Sequence, residues 1–455
     1  MTKKSILVFG ILIAFFLGSC DTTDTHPVSD NPFDTLSVSA NKVREKIVVI
    51  SDLHLGSDIS YSETVHHLQR LEQFLNEVRS SATVKELIIA GDMLDDWYVP
   101  TRINTYAGNS QADFVRKSVQ TNKVVFDVIN GIISDKKIKV TYIPGNHDMG
   151  FTAANVDIAM PGVNQARDAG DQFGVGVYHP DDYPQIVIEH GHRYDFFCAI
   201  TPEANESEAP GATLPPGYFF ARIAANSFTD PTTKEASTKV PPVQLNDSGN
   251  YEQVSKNTYY KLWKHVVEEV IYVKDNFNEP IIVTNVGNYT NTYSINDILP
   301  YNSATDGSIQ MKLYNNLFTQ TNWDARQRFN NVKVLNEINE SITGSLLTEY
   351  IDKQANKQYF QNSNSDVRIV VFGHTHNPMI KTHTNLSGED CLYANSGTWE
   401  DQKTRNKAAL IDQDTLKMNF VLIAPVQSNK KKLNVALYKY TYGKHELMDN
   451  EEIDL

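Results

Sequence analysis

The chain has 455 residues, of which 40% are hydrophobic and 21% charged, and its formal net charge is −14. This length and composition predict a folded globular protein with one large core or two smaller ones. The acidic charge argues against nucleic acid as a partner, because phosphate backbones bind basic surfaces. It does not argue against a small anionic substrate, because bound metal ions can dominate the field locally.

The first 19 residues have the pattern of a secretory signal peptide. Lys3 and Lys4 precede an apolar run of 13 residues at 5–17, which is shorter than the roughly 20 residues of a membrane-spanning helix. The following Leu17-Gly18-Ser19-Cys20 resembles the bacterial lipobox, which implies cleavage before Cys20 and acylation of that cysteine. We therefore predict a lipid-anchored protein of the cell envelope, on its periplasmic or outer-surface side. The alternative is an ordinary signal peptide that happens to hold a cysteine.

Residues 20–45 are rich in Thr, Ser, Asp and Pro and show no hydrophobic period. This composition predicts a flexible tether that would hold a folded body away from a lipid surface. Two further cysteines, Cys198 and Cys391, could form a disulfide outside the cytoplasm, and the sequence leaves this question open.

From residue 46 onward, short β-branched runs alternate with amphipathic helical patterns. Strands are predicted at 46–52, at 86–92, at the starts of 139–148, 185–192 and 367–376, and at 391–399, 408–412, 418–425 and 434–442. Helices are predicted at 63–79, 111–133, 251–275 and 333–359. Early β-α-β alternation followed by consecutive strands predicts an α/β fold, a layered sandwich with mixed β-sheets flanked by helices.

The fold prediction divides the chain into a catalytic domain and a long insertion. The catalytic domain is predicted at 46–195 and 366–445, and the partly helical insertion or lid at 196–365. Within the insertion, residues 209–250 are rich in Pro, Thr, Ser and Gly and are predicted to be loop. The insertion leaves and rejoins the domain beside the histidine-rich segments 190–192 and 374–376, so we expect it to shape substrate choice. The alternative is that its aromatic residues form a core of their own.

Each of the first five predicted strands ends in a short motif of metal-ligand residues. In chain order the motifs are Asp52-Leu53-His54, Gly91-Asp92-Met93-Leu94-Asp95, Gly145-Asn146-His147-Asp148, His190-Gly191-His192 and Gly373-His374-Thr375-His376. Each motif alone is a weak signal, since Asn and Gly also serve turns. Together they predict one site, because strand ends are where α/β sheets assemble their sites.

The order of these motifs resembles that of the calcineurin-like metallophosphoesterase superfamily, over roughly residues 46–195 and 366–400. The resemblance implies two divalent metal ions, Mn, Fe or Zn, which suit mixed oxygen and imidazole donors. One ion would be held by Asp52, His54, Asp92 and His376. The other would be held by Asp92, Asn146, His190 and His374, so that Asp92 bridges the two. The resemblance further implies that His147 faces the phosphate and that Asp95 holds its ring.

Two details of the motifs bear on the ligands and the substrate. In His190-Gly191-His192 only one imidazole is expected as a ligand, and His190 is chosen because it ends the apolar run. Protein phosphatases of the superfamily usually carry Arg directly after the second motif, where this chain has Asp96. The runs around Asp52, Asp92 and His374 resemble the UDP-2,3-diacylglucosamine pyrophosphohydrolase branch, although that branch has arginine where His147 stands.

The sequence therefore predicts an enzyme that hydrolyses a phosphate ester in the cell envelope. A phosphodiester or pyrophosphate is favoured over a monoester, and the substrate would be a small molecule or an envelope phospho-compound. One alternative is a metallophosphoesterase fold without activity that serves as a scaffold or binding lipoprotein. Another is a solute-binding lipoprotein, which would need two similar α/β lobes. All the expected ligand positions are filled, which favours the enzyme.

Overall fold

The computed structural model describes residues 28–29, 31–33, 43–168, 174–229, 239–271, 273, 276–345, 347–401, 417–427 and 429–455. The predicted signal peptide, Cys20, most of the predicted tether and the predicted strand at 408–412 lie outside these residues. No helix in the described ranges is both long enough and apolar enough to cross a bilayer.

The described strands form two main sheets and two short hairpins. In chain order they are β1 Val28–Ser29, β2 Lys46–Ile50, β3 Val84–Ala90, β4 Lys139–Ile143, β5 Asn164–Gln165, β6 Ile186–Ile188, β7 Ile282–Val283, β8 Thr292–Tyr293, β9 Tyr301–Asn302, β10 Ile309–Gln310, β11 Ile369–Phe372, β12 Met379–Thr384, β13 Asp390–Asn395, β14 Asn419–Val426, β15 Asn429–Thr441 and β16 Lys444–Asp454.

The α-helices of the described residues lie between and beside these strands. They are α1 Leu68–Ser80, α2 Gln111–Thr121, α3 Lys123–Asp135, α4 Ala153–Ala159, α5 Pro216–Thr229, α6 Tyr251–His265, α7 Gln320–Phe329, α8 Ile338–Gly344 and α9 Thr348–Ala355. Single π-helical turns, Val266–Val270 and Asn356–Phe360, follow α6 and α9.

The two main sheets are both mixed, as the sequence predicts. The first has the order β1-β16-β15-β14-β2-β3-β4-β5, and β2 to β5 within it run parallel. The second has the order β12-β13-β11-β6, with β11 parallel to both of its neighbours. The first three motif-bearing strands therefore belong to one sheet, and the fourth and fifth belong to the other.

The strands bury both faces, which explains their nearly continuous apolar sequences. In β2, the side chains of Ile47 and Val49 pack in the core between the two sheets. Val48 and Ile50, which alternate with them, pack in the core formed with helices such as α1 and α3. Helix and sheet layers thus enclose the strands on both sides, and the predicted layered α/β sandwich is confirmed.

The main differences from the predicted elements have local causes. The first helix begins at Leu68 rather than at residue 63, because Asp401 accepts hydrogen bonds from the backbone N–H groups of Val65 and His67. The predicted helix at 111–133 is two helices separated by Asn122, whose side chain donates to the carbonyls of Gly56 and Ser118. The prediction of loop at 209–250 is wrong where α5 lies.

Further along the chain, the helix predicted at 251–275 corresponds to α6, which ends at His265. The helix predicted at 333–359 is divided into α8 and α9. The strands β12 and β16 were not predicted. The sequence of β16 is acidic and gives little alternation. The strand pairs with β15 along its length, and Lys432 Nζ lies 2.6 Å from Glu452 Oε2 across the pair. Cys198 and Cys391 are both free, so the disulfide that the sequence left open is not formed.

A short part of the predicted tether packs on the folded body. Val28 and Ser29 pair with Glu446 and His445 at the edge of the first sheet. Phe33 is fully buried, and its ring centroid lies 5.6 Å from those of Phe74 and Phe420. Lys46 Nζ donates to the carbonyl oxygens of Pro32 and Phe33, at 2.6 and 3.1 Å. Residues 31–33 therefore contribute to the core and to its hydrogen bonding.

This packing gives a stability prediction. Replacing Phe33 with Ala removes a buried aromatic side chain and should lower the free energy of unfolding by about 3–5 kcal/mol. Urea unfolding of the mature chain, followed by far-UV circular dichroism, measures the change. Phe329→Ala is the matched control, because Phe329 is 46% exposed and should cost far less. Equal losses in the two variants would contradict the buried position of Phe33.

Candidate metal centre

The five motifs meet at the carboxyl ends of β2, β3, β4, β6 and β11. Backbone hydrogen bonds join them directly: Asp52 N and Leu53 N donate to the carbonyls of Gly91 and Asp92. The backbone N–H of His374 donates to the Asp52 carboxylate at 3.0 Å. The structure thus brings all seven predicted ligands to one place, although they come from segments more than 300 residues apart.

The backbone of this region is strained in a systematic way. Five of the seven predicted ligands have left-handed backbone conformations, which non-glycine residues seldom adopt. Their φ angles are Asp52 56°, His54 45°, Asp92 51°, His374 68° and His376 56°. Each such residue costs about 1–3 kcal/mol, and such strain clusters at functional sites where the surrounding structure enforces it.

Two glycines make room for the ligands. A Cβ at Gly145 would lie 2.2 Å from Asp92 Oδ1, and a Cβ at Gly91 would lie 2.4 Å from His190 Nδ1. Gly91 also has a φ of 91°, which favours glycine. Glycine is therefore required before Asp92 and before Asn146, because neighbouring ligand side chains leave no space for a Cβ there.

The first predicted ligand group consists of Asp52, His54 and His376, together with the shared Asp92. His376 Nε2 lies 3.1 Å from Asp52 Oδ1 and 3.3 Å from His54 Nε2. His54 Nε2 lies 3.9 Å from Asp52 Oδ1. These three residues offer one donor atom each within 4.8 Å of one another, a spacing compatible with a shared metal ion.

The second predicted group is Asp92, Asn146, His190 and His374. His190 Nε2 lies 3.2 Å from Asp92 Oδ2 and 3.1 Å from Asn146 Oδ1. Asp92, His190 and His374 again offer donor atoms within 4.8 Å of one another. The same Asp92 Oδ2 lies 3.7 Å from His54 Nε2, which belongs to the first group. Asp92 therefore lies between the two groups.

The hydrogen bonding of His190 tests whether a cation fits here. Its Nδ1 lies 2.8 Å from the carbonyl oxygen of Ala90, which only accepts, so Nδ1 must carry the proton of the neutral ring. The lone pair of Nε2 then faces the Asp92 and Asn146 oxygens, which are also acceptors. These three lone pairs converge, so they need a positive charge between them, either a proton on Nε2 or a metal ion. The set of oxygen and imidazole donors fits the metal centre that the motifs predict.

The carboxylates and imidazoles of the centre shift one another's pKa values. Burial by itself would raise the pKa of Asp92, but the rings of His190, His147 and His54 hold that pKa well below its usual range. Burial opposes the protonation of His190, yet Asp92 and Asp52 raise the pKa of His190 to about 9. The centre thus attracts positive charge strongly.

Asp95 lies between His54, a predicted ligand, and His147, the residue expected to face the phosphate. Its Oδ2 lies 2.8 Å from His147 Nδ1 and 3.1 Å from His54 Nδ1. Its Oδ1 accepts hydrogen bonds from the backbone N–H groups of Trp97 and Tyr98, both at 2.8 Å. Asp95 is only 3% exposed, so it is a buried carboxylate rather than a surface acid. It orients both imidazoles and the loop that follows it.

Three acidic residues near the ligands were not predicted from the sequence. Glu63 Oε2 lies 2.9 Å from His54 Nδ1, and Glu400 Oε1 lies 3.6 Å from His376 Nδ1. Asp195 Oδ2 lies 3.1 Å from His374 Nε2. Carboxylates of this kind fix the ring orientation of metal-binding histidines. Only Asp195 stood near a motif, three residues after His192, and Glu63 and Glu400 gave no signal.

Asp195 also connects His374 to the predicted insertion. Its Oδ1 accepts from the backbone N–H of Phe197 at 2.7 Å and from Ser345 Oγ at 2.9 Å. Burial would raise the pKa of Asp195, but the hydrogen bond and charge of His374 lower it. An insertion residue, Ser345, therefore stabilises the carboxylate that holds a predicted ligand.

His190 lies among the other predicted ligands, whereas His192 is buried beside the His190 ring. His192 is 2% exposed, and neither of its ring nitrogens has a hydrogen-bond partner among the described residues. Burial and the neighbouring rings of His190 and His374 lower the pKa of His192 well below its usual value. This neutral ring packs with its centroid 5.3 Å from that of His190.

Asp96, at the position of the protein-phosphatase arginine, is buried. Tyr106 Oη donates to its Oδ2 at 2.6 Å. Burial raises the pKa of Asp96 to about 7. The position after the second motif therefore carries a carboxyl group held by a tyrosine instead of a guanidinium.

Comparison with known families agrees with this arrangement. Residues 45–213 match the family model described as calcineurin-like phosphoesterase. The match includes the first four motifs, and the fifth, Gly373–His376, lies beyond it and is brought to the same site by the fold. A search of curated proteins finds no match. Residues 45–213 thus form a calcineurin-like phosphoesterase domain, and the protein is a hydrolase of phosphoric ester bonds. The family uses divalent metals, and this chain has candidate residues to bind them.

Proposed function

We propose that the protein hydrolyses a phosphodiester or pyrophosphate at a centre of two divalent ions, Mn, Fe or Zn, while anchored in the cell envelope by a lipid on Cys20. The main support for a two-ion centre is the position of Asp92. Its Oδ2 is 3.7 Å from His54 Nε2 in one ligand group and 3.2 Å from His190 Nε2 in the other. A single carboxylate so placed can serve two ions about 3.5–4 Å apart.

The ligands divide between the ions as the resemblance implies. Asp52, His54 and His376 would hold one ion and Asn146, His190 and His374 the other, with Asp92 common to both. Two such ions would supply Lewis-acid polarisation of the phosphoryl oxygens and lower the pKa of an attacking water. Glu63, Asp195 and Glu400 would keep the histidine rings in place.

His147 is the group proposed to deliver a proton to the leaving oxygen. Asp95 lies 2.8 Å from its Nδ1, and the Trp97 ring packs with its centroid 5.0 Å from that of His147. The side chain remains 11% exposed. Because Asp95 accepts from Nδ1–H, the second proton of the imidazolium form would be held on Nε2. That proton would pass to the departing oxygen and leave the neutral ring bonded to Asp95.

The preference for a phosphodiester or pyrophosphate rests on the residues around Asp92. A monoester dianion benefits from a guanidinium that takes both charged oxygens. Asp96 stands at that position and bonds Tyr106. The resemblance of the motifs to a pyrophosphohydrolase branch supports the same preference, although His147 departs from its arginine.

The proposed anchor places the domain close to a membrane. If Cys20 is acylated, seven residues separate it from Val28, which pairs with the edge of the first sheet. Eight residue steps reach at most about 29 Å, and their typical span is about 15–17 Å. The membrane would then be a partner, and the domain would work within a few tens of ångströms of it.

The anchor is tested by replacing Cys20 with Ala. Dual acylation gives stable membrane attachment, so the variant should move from the membrane fraction to the soluble fraction or remain unprocessed. Fractionation of cells expressing either chain, with mass spectrometry of the mature N-terminus, measures this. Cys198→Ala is the matched control. An unmodified Cys20, or a cut at another position, would sink the proposal of a lipid anchor.

The two-ion centre is tested at Asp92. Asp92→Asn removes the shared negative charge, so we expect loss of one or both ions and a fall in kcat of at least about 10³-fold. Metal content by elemental analysis and turnover of bis(p-nitrophenyl) phosphate with added manganese are the measurements. Asp135→Asn, at an exposed ion pair with Arg79, is the control. Full metal content with unchanged turnover in Asp92→Asn would exclude this centre.

The role of His147 is tested with leaving groups of different basicity. A general acid helps most when the departing oxygen is strongly basic, so His147→Ala should slow alkyl phosphate esters by about 10²-fold or more. Aryl esters with acidic phenols should slow much less. kcat/KM for methyl and p-nitrophenyl diesters gives the comparison. Equal losses on both substrates would mean that His147 binds phosphate without donating a proton.

A further inference from the structure

We propose that Arg222, in the insertion, is a positioning residue for His147. It would act through residues 95–103, here called the acid loop, which begin with the last residue of the second motif and contact the insertion. The inference rests on the proposed role of His147 and assigns a task to a part of the chain that the family match does not cover.

Arg222 lies on α5 and is fully buried. Four of its hydrogen bonds go to carbonyl oxygens of the acid loop: Nε donates to Val99 at 2.6 Å, and Nη2 donates to Pro100, Thr101 and Ile103 at 3.1, 3.3 and 2.6 Å. Nη1 donates to the carbonyl of Val283, in β7, and to Tyr218 Oη, at 2.9 and 2.8 Å. One guanidinium thus binds most of the turn that follows Trp97.

The insertion holds the acid loop at a second point through its backbone. Val283 N donates to the carbonyl of Thr101 at 2.9 Å, next to the Arg222 contact with Val283. On the surface, Arg102 Nη2 lies 3.0 Å from Glu279 Oε1, an exposed pair that contributes little. The loop is therefore fixed mainly by buried bonds from α5 and β7.

From the acid loop, two contacts lead to His147. The backbone N–H groups of Trp97 and Tyr98 donate to Asp95 Oδ1, and the other oxygen of Asp95 lies 2.8 Å from His147 Nδ1. The Trp97 ring packs on the His147 ring at an interplanar angle of 33°. Tyr218, which accepts from Arg222, packs edge-on against Trp97 at 6.1 Å. Moving the loop would shift both supports of the imidazole.

Arginine suits this position because its planar group presents five donors in fixed directions. A lysine has three donors on one nitrogen and cannot span carbonyls from Val99 to Ile103. Releasing the loop should misplace His147 relative to the leaving oxygen, and an error of about 1 Å in a reacting group can cost about 10²-fold in rate. The metal ligands should be less affected, because His54 also has Glu63 beside its Nδ1.

The test compares Arg222→Lys and Arg222→Met with the full-length chain. Both should lower kcat/KM for the methyl phosphate diester about tenfold more than for the p-nitrophenyl diester, with metal content unchanged. Trp97→Phe, which alters the other end of the path with a smaller change in packing, should show the same selective loss. If the Arg222 variants do not fold, Trp97→Phe still tests the last step of the path, and an equal loss on the two esters there would also overturn the proposal. An equal loss on the two esters in folded variants would overturn the proposal.

Two controls separate positioning from general stability. Arg326 is another buried arginine of the insertion, and it donates to the carbonyls of Phe196 and Ala199 outside the acid loop. Arg326→Met should lower thermal stability like Arg222→Met but leave the ratio between the two esters unchanged. In the His147→Ala background, Arg222→Lys should cause no further change in that ratio. A further change there would overturn the proposal, because Arg222 would then act on another group. Equal losses on the two esters in His147→Ala alone would contradict the proposed role of His147, and with it the basis of this inference.

Discussion

The arrangement of this domain depends on one carboxylate that must reach two groups of ligands. Asp92 can lie between His54 and His190 only because its backbone takes a φ of 51° and Gly145 leaves space beside it. The ligands on the other four segments must reach the same point, and they therefore lie in turns directly after the ends of their strands. Strain at five ligand positions must be offset elsewhere, and the buried cores on both faces of the two sheets are the source of that stability.

The fold, and the residues that cluster at the ends of its strands, could be predicted from the sequence because each depends on local patterns. Strands such as β2 and β3 are β-branched runs, and each is followed at once by a motif whose residue types match metal ligands. The supporting carboxylates could not be predicted in this way. Glu63 and Glu400 are ordinary acids in the sequence, and only the three-dimensional fold brings them next to His54 and His376. Helix α5 was missed for a similar reason, because Pro216 and Gly217 at its start hide a helix that tertiary packing stabilises.

The insertion was expected to be a lid, and the structure shows how closely it is joined to the domain. Its large aromatic residues, among them Tyr218, Phe219 and Trp263, are buried in the same core that includes Phe74 and Trp97 of the catalytic part. Polar contacts add to this: Arg193, beside the fourth motif, donates to the carbonyl of Asn330, and Tyr359 donates to Glu189. A segment joined by so many buried contacts cannot swing as a rigid flap without unpacking the core.

This integration changes how the insertion can influence catalysis. Arg222 reaches His147 through the acid loop, and Ser345 reaches His374 through Asp195, so the insertion supports both the proposed acid and one proposed ligand. A substitution within it can then alter the chemistry without touching substrate. Substrate choice would come from the fixed shape of its exposed surface beside the metal centre, since its aromatic side chains are largely committed to the core. Exchange of the whole insertion between related enzymes should therefore disturb proton transfer and metal binding before it transfers specificity.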